Sequence, residues 1–280
     1  MVKMNINKFG EICESDGWLK AMEFKDTFVP TSLYKYCSLM DNNYVDYNLK
    51  NEIKFDTLRE EKLWVSNYKL LNDPFEYKMI TLDCERLKEV GWDIDNVQNF
   101  LDSFKVRTLI SCFSSEVHNN MPMWAHYASN HTGYSVKYSV KEPRSIFPIT
   151  YEPVRSKCAV IPTMIISEIF KAYEKGLSEP TEEFYKYFTY LYMSFSCKHN
   201  FWDYENEYRL LHFSVDIVSG RAISLQDVGL SVDAIYIGYR CDDKNLKVLT
   251  KIGAELGCKV YKMNFDEYGD KFELVSERVI

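Results

Sequence analysis

Alternation of apolar and polar residues marks the strands of this chain. TSLYKYCSL (31–39) and YSVKYSV (134–140) follow the two-residue period of a sheet strand, and the first puts Tyr34 and Tyr36 on one face. We expect IFPITYEP (146–153), which two prolines limit, to lie beside YSVKYSV. Apolar segments predict further strands at KLWVSN, TLISCFSS, EYRLLHFSV, AISL, DAIYIGY and KVYKMNF.

Helical periodicity fills the intervals between these strands. NNMPMWAHYASNHTG (119–133) has the order of a cap, a proline near the helix start, a short helix and a glycine stop. Residues 162 to 197 are also helical in pattern, and Pro180 divides them. Further helices are predicted in 16–28, in 42–62 through Leu49, Ile53 and Leu58, in 84–107 as two pieces around Gly91, and in 242–257 from Asp242 to a stop at Gly257.

The mixed order of helices and strands defines the expected fold class. The chain has no internal repeat and no Gly/Ser-rich linker. We therefore predict an α+β fold with mixed, mainly antiparallel sheets and helices packed on them. Residues 1–280 are expected to form a single domain with a helical insertion near 160–197, because this length supports a large core.

Composition narrows the class of protein. The net charge is −7, which argues against tight, sequence-independent nucleic-acid binding but leaves transient contact open. No apolar run approaches the ~20 residues of a membrane span, and the start of the chain lacks a signal-peptide pattern. The eight cysteines form no Cys-x-x-Cys pair. We expect a soluble, cytoplasmic protein without membrane contact, whose thiols are reduced and mostly buried.

Three motifs carry polar or aromatic side chains beyond this background. LYKY (33–36) presents two strand tyrosines, which half-burial alone would explain. In LWVSNYKLLNDPFE (63–76), Asn72, Asp73 and Glu76 either hold a turn or bind a ligand. In PMWAHYASNHTG (122–133), helical spacing lets Met123, Trp124 and Tyr127 share a face, with His126 to one side as either a structural histidine or a ligand contact.

A fourth motif, WDYENEYR (202–209), sets two acids among aromatics. If the chain is extended there, Glu205 and Glu207 share one face and Tyr204 and Tyr208 the other. Neighbouring carboxylates raise the pKa of one of them, which suits acid/base chemistry or the stabilisation of a developing cation. The alternative is a salt-bridged strand entry, with Glu205 or Glu207 bound to Arg209 or Lys198.

Taken in this order, the four motifs resemble a bacterial family known as domain of unknown function 2971. The shared patterns are L-Y-K-Y, N-D-P-F-E, P-M-W-A-H-Y-A…H-T-G and W-x-Y-E-x-E-Y-R, within residues 30 to 265. The family name carries no activity. Its members are often found in phage-defence or toxin-like settings, which implies a defence or toxin effector with a neutralising antitoxin or chaperone as a further partner.

The order of strands and motifs is also similar to the ADP-ribosyltransferase fold. The resemblance implies that Tyr34 or Tyr36 takes the first-strand place, Ser66 the second, and Glu207 the catalytic place with Glu205 as its partner. The first-strand place holds YKY here, where that group has His or Arg. NAD is then the expected substrate, and its expected binding set is Tyr34, Tyr36, Trp64, Ser66, Asn72, Asp73, Tyr127 and His126.

Cleavage of the bond to nicotinamide builds a ribosyl cation, which a fixed carboxylate stabilises best where water is excluded. Glu207 would hydrogen-bond the ribose hydroxyl and steady the cation, while Glu205 orients the nucleophile. Tyr36, Trp64 and Tyr127 could stack on the nicotinamide. The expected acceptor is a macromolecule, RNA, DNA or protein.

Two other function classes remain open from sequence. Asp73, Glu76, Glu205 and Glu207 could gather Mg²⁺ for a nuclease or phosphodiesterase, with Lys198 near the phosphate. A non-catalytic module that senses a ligand or binds a partner would use the same residues to hold irregular loops. Phosphate-loop, dinucleotide-fold, zinc-protease and nucleophile-elbow motifs are not found in the sequence.

Overall fold

The computed structural model describes residues 3–40 and 45–280, and helices and strands alternate along them. The helices of this part of the chain are α1 (Ile6–Ser15), α2 (Trp18–Asp26), α3 (Tyr47–Arg59), α4 (Cys84–Glu89), α5 (Ile94–Arg107), α6 (Met121–Tyr127), α7 (Val160–Glu174), α8 (Glu182–Phe195) and α9 (Asp243–Leu256). The strands are β1 (Ser32–Cys37), β2 (Lys62–Asn67), β3 (Ile80–Leu82), β4 (Thr108–Ser114), β5 (Tyr134–Val140), β6 (Ile146–Pro148), β7 (Thr150–Glu152), β8 (Ser156–Cys158), β9 (Cys197–His199), β10 (Glu207–Phe213), β11 (Gly220–Ser224), β12 (Leu230–Ile237), β13 (Lys259–Phe265) and β14 (Leu274–Arg278).

The main sheet forks along strand β4. One edge of β4 pairs antiparallel with β10 over the whole strand. On its other edge, Ser114 pairs with Tyr34 of β1, whereas Ile110 pairs with Ser66 of β2. From there β2 continues to β11, while β1 continues through β5, β12, β13 and β14. The residues of β4 between these two pairings, 111–113, thus face a gap between two diverging branches.

Helices cover both sides of this forked sheet. Helices α3 and α9 contact each other, and α9 packs on β12 and β13. Helices α1, α2, α5, α7 and α8 enclose a second apolar cluster on the other side. Pro180 precedes α8, where the Thr181 hydroxyl accepts a hydrogen bond from the Phe184 amide and caps the helix. The predicted α+β class with a mainly antiparallel sheet is confirmed, and the α7–α8 pair lies where the helical insertion was expected.

Helix α3 confirms the helix predicted through Leu49, Ile53 and Leu58, of which Leu58 is buried and Leu49 and Ile53 are exposed. Two other local predictions are wrong, and helix α1 was not predicted. IFPITYEP does not pair with β5, because β6 pairs with β10 and β7 with β9. The cysteines are not mostly buried. Of the cysteines, all free, Cys13, Cys197 and Cys241 are buried, Cys84 is exposed and the others are intermediate. Residues 42–44 of the predicted helix 42–62 lie outside the described residues.

Gly133 does not stop helix α6, which ends at Tyr127 and is followed by left-handed backbone at Ser129, Asn130 and His131. A Cβ atom at Gly133 would lie 2.2 Å from the carbonyl oxygen of Cys37. The glycine is therefore needed for a close backbone approach between this turn and β1. Within the described ranges, no helix is long and apolar enough to cross a membrane.

Candidate functional site

A cavity of about 180 Å³ opens at the fork of the sheet. Strands β1 and β2 form two of its walls, β4 forms the back, and helix α6 and the start of β10 close it. This fork cavity brings together eight of the ten residues that the sequence predicts for the site. They are Tyr34, Tyr36, Trp64, Ser66, Asn72, Tyr127, Glu205 and Glu207.

The two acids reach the cavity from an irregular backbone. Glu205 is the last residue of a 3-10 helix, Asn200–Glu205, and Asn206 is left-handed with φ 45°. Glu207 then begins β10. The prediction of an extended E-x-E segment is therefore wrong. The left-handed turn at Asn206 nevertheless brings both carboxylates to one point, since each accepts a hydrogen bond from Lys198.

Lys198 and Arg209 hold the acids in a buried ionic cluster. The Lys198 ammonium lies 2.6 Å from Glu205 Oε2 and 3.0 Å from Glu207 Oε2. Arg209 Nε donates to Glu207 Oε1 at 2.8 Å, and its two terminal nitrogens bind both carboxylate oxygens of Glu76. All five side chains are at least nine-tenths buried. The alternative of a salt-bridged strand entry is thus correct as a description of these contacts.

The cluster contains more negative than positive groups. With every group in its charged form, three carboxylates face two cations, which leaves one excess negative charge. Burial, and next the charge of Glu207, raise the pKa of Glu205 to about 7. Burial would also raise the pKa of Glu207, but Arg209 and Lys198 outweigh it and hold this pKa well below its usual range. One carboxylate is therefore firmly ionised, and the other titrates near neutral pH.

A short relay of hydrogen bonds connects the loop after β2 to Glu205. The Asn72 side-chain amide donates to the Tyr127 hydroxyl at 2.8 Å, and this hydroxyl donates to Glu205 Oε1. Burial, followed by the Glu205 charge, raises the pKa of Tyr127, so the phenol keeps its proton. Tyr127 thus fixes the carboxylate oxygen that Lys198 does not bind.

Lys35 supplies a cation on the first strand. Its ammonium donates to the Ser111 hydroxyl at 2.7 Å across the gap where the sheet forks. Among the residues the structure describes, no carboxylate lies within ion-pair distance of it. Lys35 also lines a second cavity of about 280 Å³ between α3 and the sheet, together with Lys50, Lys54 and Lys62. Trp64 and Lys35 line both cavities.

A third and larger space adjoins the fork cavity. It is an open groove of about 760 Å³ that shares Lys198 with the fork cavity. Trp202 also lines the groove, and the Lys198 ammonium lies 4.6 Å from the centre of its ring. The fork cavity is thus the middle one of three adjacent spaces, and the Lys198 side chain stands between it and the groove.

Two of the predicted site residues lie outside the fork cavity. Asp73 is buried, lines the large groove and accepts a hydrogen bond from the Phe75 amide at 2.8 Å, as a turn residue before proline does. His126 is exposed on α6. His126 does not line the fork cavity and therefore does not meet the acids there.

Lys198 and Arg209 were expected only in the salt-bridge alternative, with Lys198 also placed near a phosphate, and Lys35 was not expected in the site at all. The available signal was charge: three acids that converge in a buried place require cations nearby. The partnership of Glu76 with Arg209 joins residues 133 positions apart, which no local pattern reveals.

The grouping of acids proposed for a metal does not form. Glu76 and Glu207 are bound by Arg209, and Asp73 serves its own turn. Within residues 3–40 and 45–280, no three His, Cys, Asp or Glu side chains are grouped to hold a metal ion.

Comparison with known families agrees with the motif resemblance. The model of the family described as protein of unknown function (DUF2971) matches residues 123–210, which confirms the resemblance over that range. The matched segment includes Tyr127, Lys198, Glu205, Glu207 and Arg209, whereas the L-Y-K-Y and N-D-P-F-E motifs lie outside it. Neither the curated proteins nor the solved structures contain a significant match to the chain.

Proposed function

We propose that the protein is an NAD-dependent ADP-ribosyltransferase that modifies a macromolecule. The observation that carries this proposal is the buried Glu205–Glu207–Lys198 cluster, which faces an aromatic-walled cavity at the fork of the sheet. A forked, mainly antiparallel sheet with a late E-x-E at a strand entry also supports an ADP-ribosyltransferase-like fold. A role as a phage-defence or toxin effector, with an antitoxin or chaperone, is proposed from the family resemblance alone.

The fork cavity suits the nicotinamide end of NAD. Its volume fits one substituted ring, and Trp64, Tyr36 and Tyr127 provide aromatic surface along its walls. The nicotinamide of NAD is a pyridinium cation, and the adjacent ionic cluster has one excess negative charge when Glu205 is ionised. In a buried place such a charge attracts a cation far more strongly than it would in water. Ring shape and charge therefore favour the same ligand.

Lys35 is positioned to bind the phosphates of NAD. Its ammonium stands where the fork cavity meets the second cavity, whose other lysines are Lys50, Lys54 and Lys62. With nicotinamide in the fork cavity, the pyrophosphate would pass Lys35 toward this lysine-lined space. The ADP-ribosyltransferase resemblance implies a His or Arg on the first strand. Lys35, the middle residue of YKY, would supply the cation there instead.

The transfer reaction divides its tasks between the two acids. The bond from ribose C1′ to the pyridinium nitrogen breaks, and its electron pair goes to nicotinamide. Glu207, which stays ionised, stabilises the positive charge that develops on the ribose. A nucleophilic N–H or O–H of the acceptor then bonds to C1′ and loses its proton to Glu205, whose pKa is about 7. The products are the ADP-ribosylated acceptor, nicotinamide and one proton.

An NAD-cleavage assay tests this proposal. Purified protein is incubated with NAD labelled in the adenosine part and with a cell lysate, and both nicotinamide release and macromolecular label are measured. We expect both signals, and we expect Glu205→Gln and Glu207→Gln to lower them at least a hundredfold, consistent with the loss of a general base or a charge stabiliser. Circular dichroism and urea unfolding verify that each variant folds.

Asp203→Asn is the matched control. It makes the same carboxylate-to-amide change in the same 3-10 helix, but its side chain is exposed and lies outside the cavity. Activity of this variant should equal that of the wild type. If the folded wild type neither releases nicotinamide nor transfers label, the enzyme proposal is wrong, and the non-catalytic reading of the same residues takes its place.

A further inference from the structure

The large groove beside the acids combines cations with exposed aromatic rings. The loop Asp73–Thr81 forms one wall, and the segment Glu152–Lys157 forms the other. Strand β9 and the start of the 3-10 helix form the floor. The groove therefore lies between the two small parallel pairs, β3–β8 and β7–β9, outside the main sheet.

Three cations of the walls have no acidic partner within the described residues. Lys78, Arg155 and Lys157 are exposed, and over the described residues none of them forms a salt bridge. Their acidic neighbours in the lining are Asp73, which is buried in its turn, and Glu152. The exposed lining is thus cationic, although the whole chain has a net charge of −7. A local cationic strip on an acidic protein indicates an anionic ligand at that place.

Two aromatic rings of the groove are exposed. Phe201 is 83% exposed and Phe75 is 56% exposed. The Arg155 guanidinium lies 5.5 Å from the centre of the Phe75 ring. Flat rings alternating with cations match the two parts of a nucleotide, the base and the phosphate. Bases can stack on such rings only when they are unpaired, as in a single strand.

The groove meets the acidic cluster at Lys198. Lys198 belongs both to the groove and to the acidic cluster, and its ammonium lies over the ring of Trp202 in the groove floor. A nucleotide stacked next to Trp202 would therefore lie beside Lys198, and its base or sugar would reach Glu205, the residue that takes the proton of the acceptor, past the Lys198 side chain. The dinucleotide would enter from the other side, past Lys35.

We propose that this groove binds single-stranded nucleic acid as the acceptor of the ADP-ribosyl group. The inference rests on the proposed function for its chemical step, but the binding it requires can be measured without NAD. In the transfer, a ring nitrogen, an amine or a hydroxyl of one nucleotide bonds to ribose C1′ and gives its proton to Glu205, while nicotinamide leaves with the electron pair.

Fluorescence anisotropy tests the groove directly. Labelled 12-nucleotide single strands of mixed RNA or DNA sequence are titrated with the protein, and a duplex of the same sequence serves for comparison. Single strands should bind more tightly than the duplex, and binding should weaken as salt increases. Phe201→Ala should weaken it about fivefold to a hundredfold, the range for one lost stacking ring. Lys157→Ala should weaken it too, and should reduce the salt dependence.

Two exposed residues outside the groove lining give matched controls. Tyr173→Ala removes an exposed ring of α7, and Lys251→Ala removes an exposed charge of α9. Neither should change the affinity. Absence of binding, or equal losses in groove and control variants, overturns the inference, as does tighter binding of the duplex.

The labelling reaction separates this inference from the proposed function. Single-stranded oligonucleotides are incubated with protein and labelled NAD, next to a lysate depleted of nucleic acid. Transfer to the oligonucleotide supports both proposals. Label on protein alone, with nicotinamide released, overturns the groove inference and leaves the enzyme intact. Oligonucleotide binding that the groove variants weaken, without any NAD cleavage, upholds the groove as a binding site and overturns the enzyme.

Discussion

Arg209, within strand β10, binds both carboxylate oxygens of Glu76 in the loop after β2. The same guanidinium also holds Glu207, and one of its nitrogens donates to the carbonyl oxygen of Phe195 at 2.7 Å. Arg209 is fully buried, so this pairing fixes a loop, a helix end and a strand to one point. The acids of the candidate site therefore depend on a residue that does not line the cavity itself.

Removal of Arg209 should destabilise the fold severely. Arg209→Met leaves Glu76 and Glu207 buried without their cation, and we expect a loss of about 3–5 kcal/mol in the free energy of unfolding. Arg209→Lys should recover only part of it, because one ammonium cannot replace the planar fork of donors. Urea unfolding at pH 7 measures both. Arg59→Lys, at a partly exposed salt bridge of α3, is the control and should change stability by less than about 1 kcal/mol.

The fold class could be predicted because strand and helix periods are local properties. Nearly every predicted strand is present, and Asp242 and Gly257 bound α9 as expected. The partners of the strands could not be predicted in the same way. The local sequence of β6 does not show whether this strand pairs with β5 or with β10. The fork of the sheet depends on which residues of β4 pair with β1 and which pair with β2.

The motifs predicted which residues lie together in the site, but they did not predict the chemistry of those residues. The order of motifs identified eight residues that line one cavity, which confirms that they lie together while leaving their roles to experiment. The geometry of Glu205 and Glu207 was predicted wrongly because an αL residue, Asn206, replaces the extended backbone. Apolar periodicity gives no sign of a left-handed residue in the middle of E-N-E.

Glu205 should make the stability of the protein fall as pH rises toward neutral. Its pKa is about 7 in the folded state and near 4.5 when unfolded. The folded state thus binds more protons between these values, and this contribution is fully present below pH 4.5 and lost by about pH 7. Glu205→Gln lacks the effect. The free energy of unfolding of the variant minus that of the wild type, measured by urea unfolding, should therefore increase by about 1–3 kcal/mol between pH 5 and pH 7.5. An unchanged difference would show that Glu205 does not titrate in this range.

Tyr127→Phe should move the acidic limb of the activity profile to higher pH. The Tyr127 hydroxyl stabilises the charged form of Glu205, so its removal raises the pKa of that carboxyl further. We expect a shift of about one pH unit, from the usual strength of a hydrogen bond to a charged group. Nicotinamide release at pH 7 should then fall about fivefold and recover near pH 9. A uniform loss at every pH would instead indicate a purely structural role for Tyr127.

Lys35→Met should weaken NAD binding more than it slows the reaction. The ammonium is placed to bind phosphate, an interaction that is equal in the ground and transition states. We expect KM for NAD to rise about tenfold or more with kcat little changed. Lys251→Met removes an exposed charge from α9 and should leave both constants unaltered. A fall in kcat at constant KM would place Lys35 in the chemical step instead.

Binding of a pyridinium cation should depend on the ionisation of Glu205. We expect 1-methylnicotinamide, which carries the positive ring of NAD without its cleavable bond, to bind the fork cavity more tightly as pH rises from 6 to 8. Because the pKa of Glu205 is about 7 before binding and a nearby cation lowers it, affinity should increase by about tenfold over this interval and level off above it. Neutral nicotinamide is the control ligand and should show no such trend. Calorimetry in two buffers of different protonation enthalpy should also record a proton released on binding of the cation at pH 7. Glu205→Gln should abolish both the pH trend of the affinity and the proton release. If the two ligands show equal pH trends, the charge of the cluster does not determine their binding.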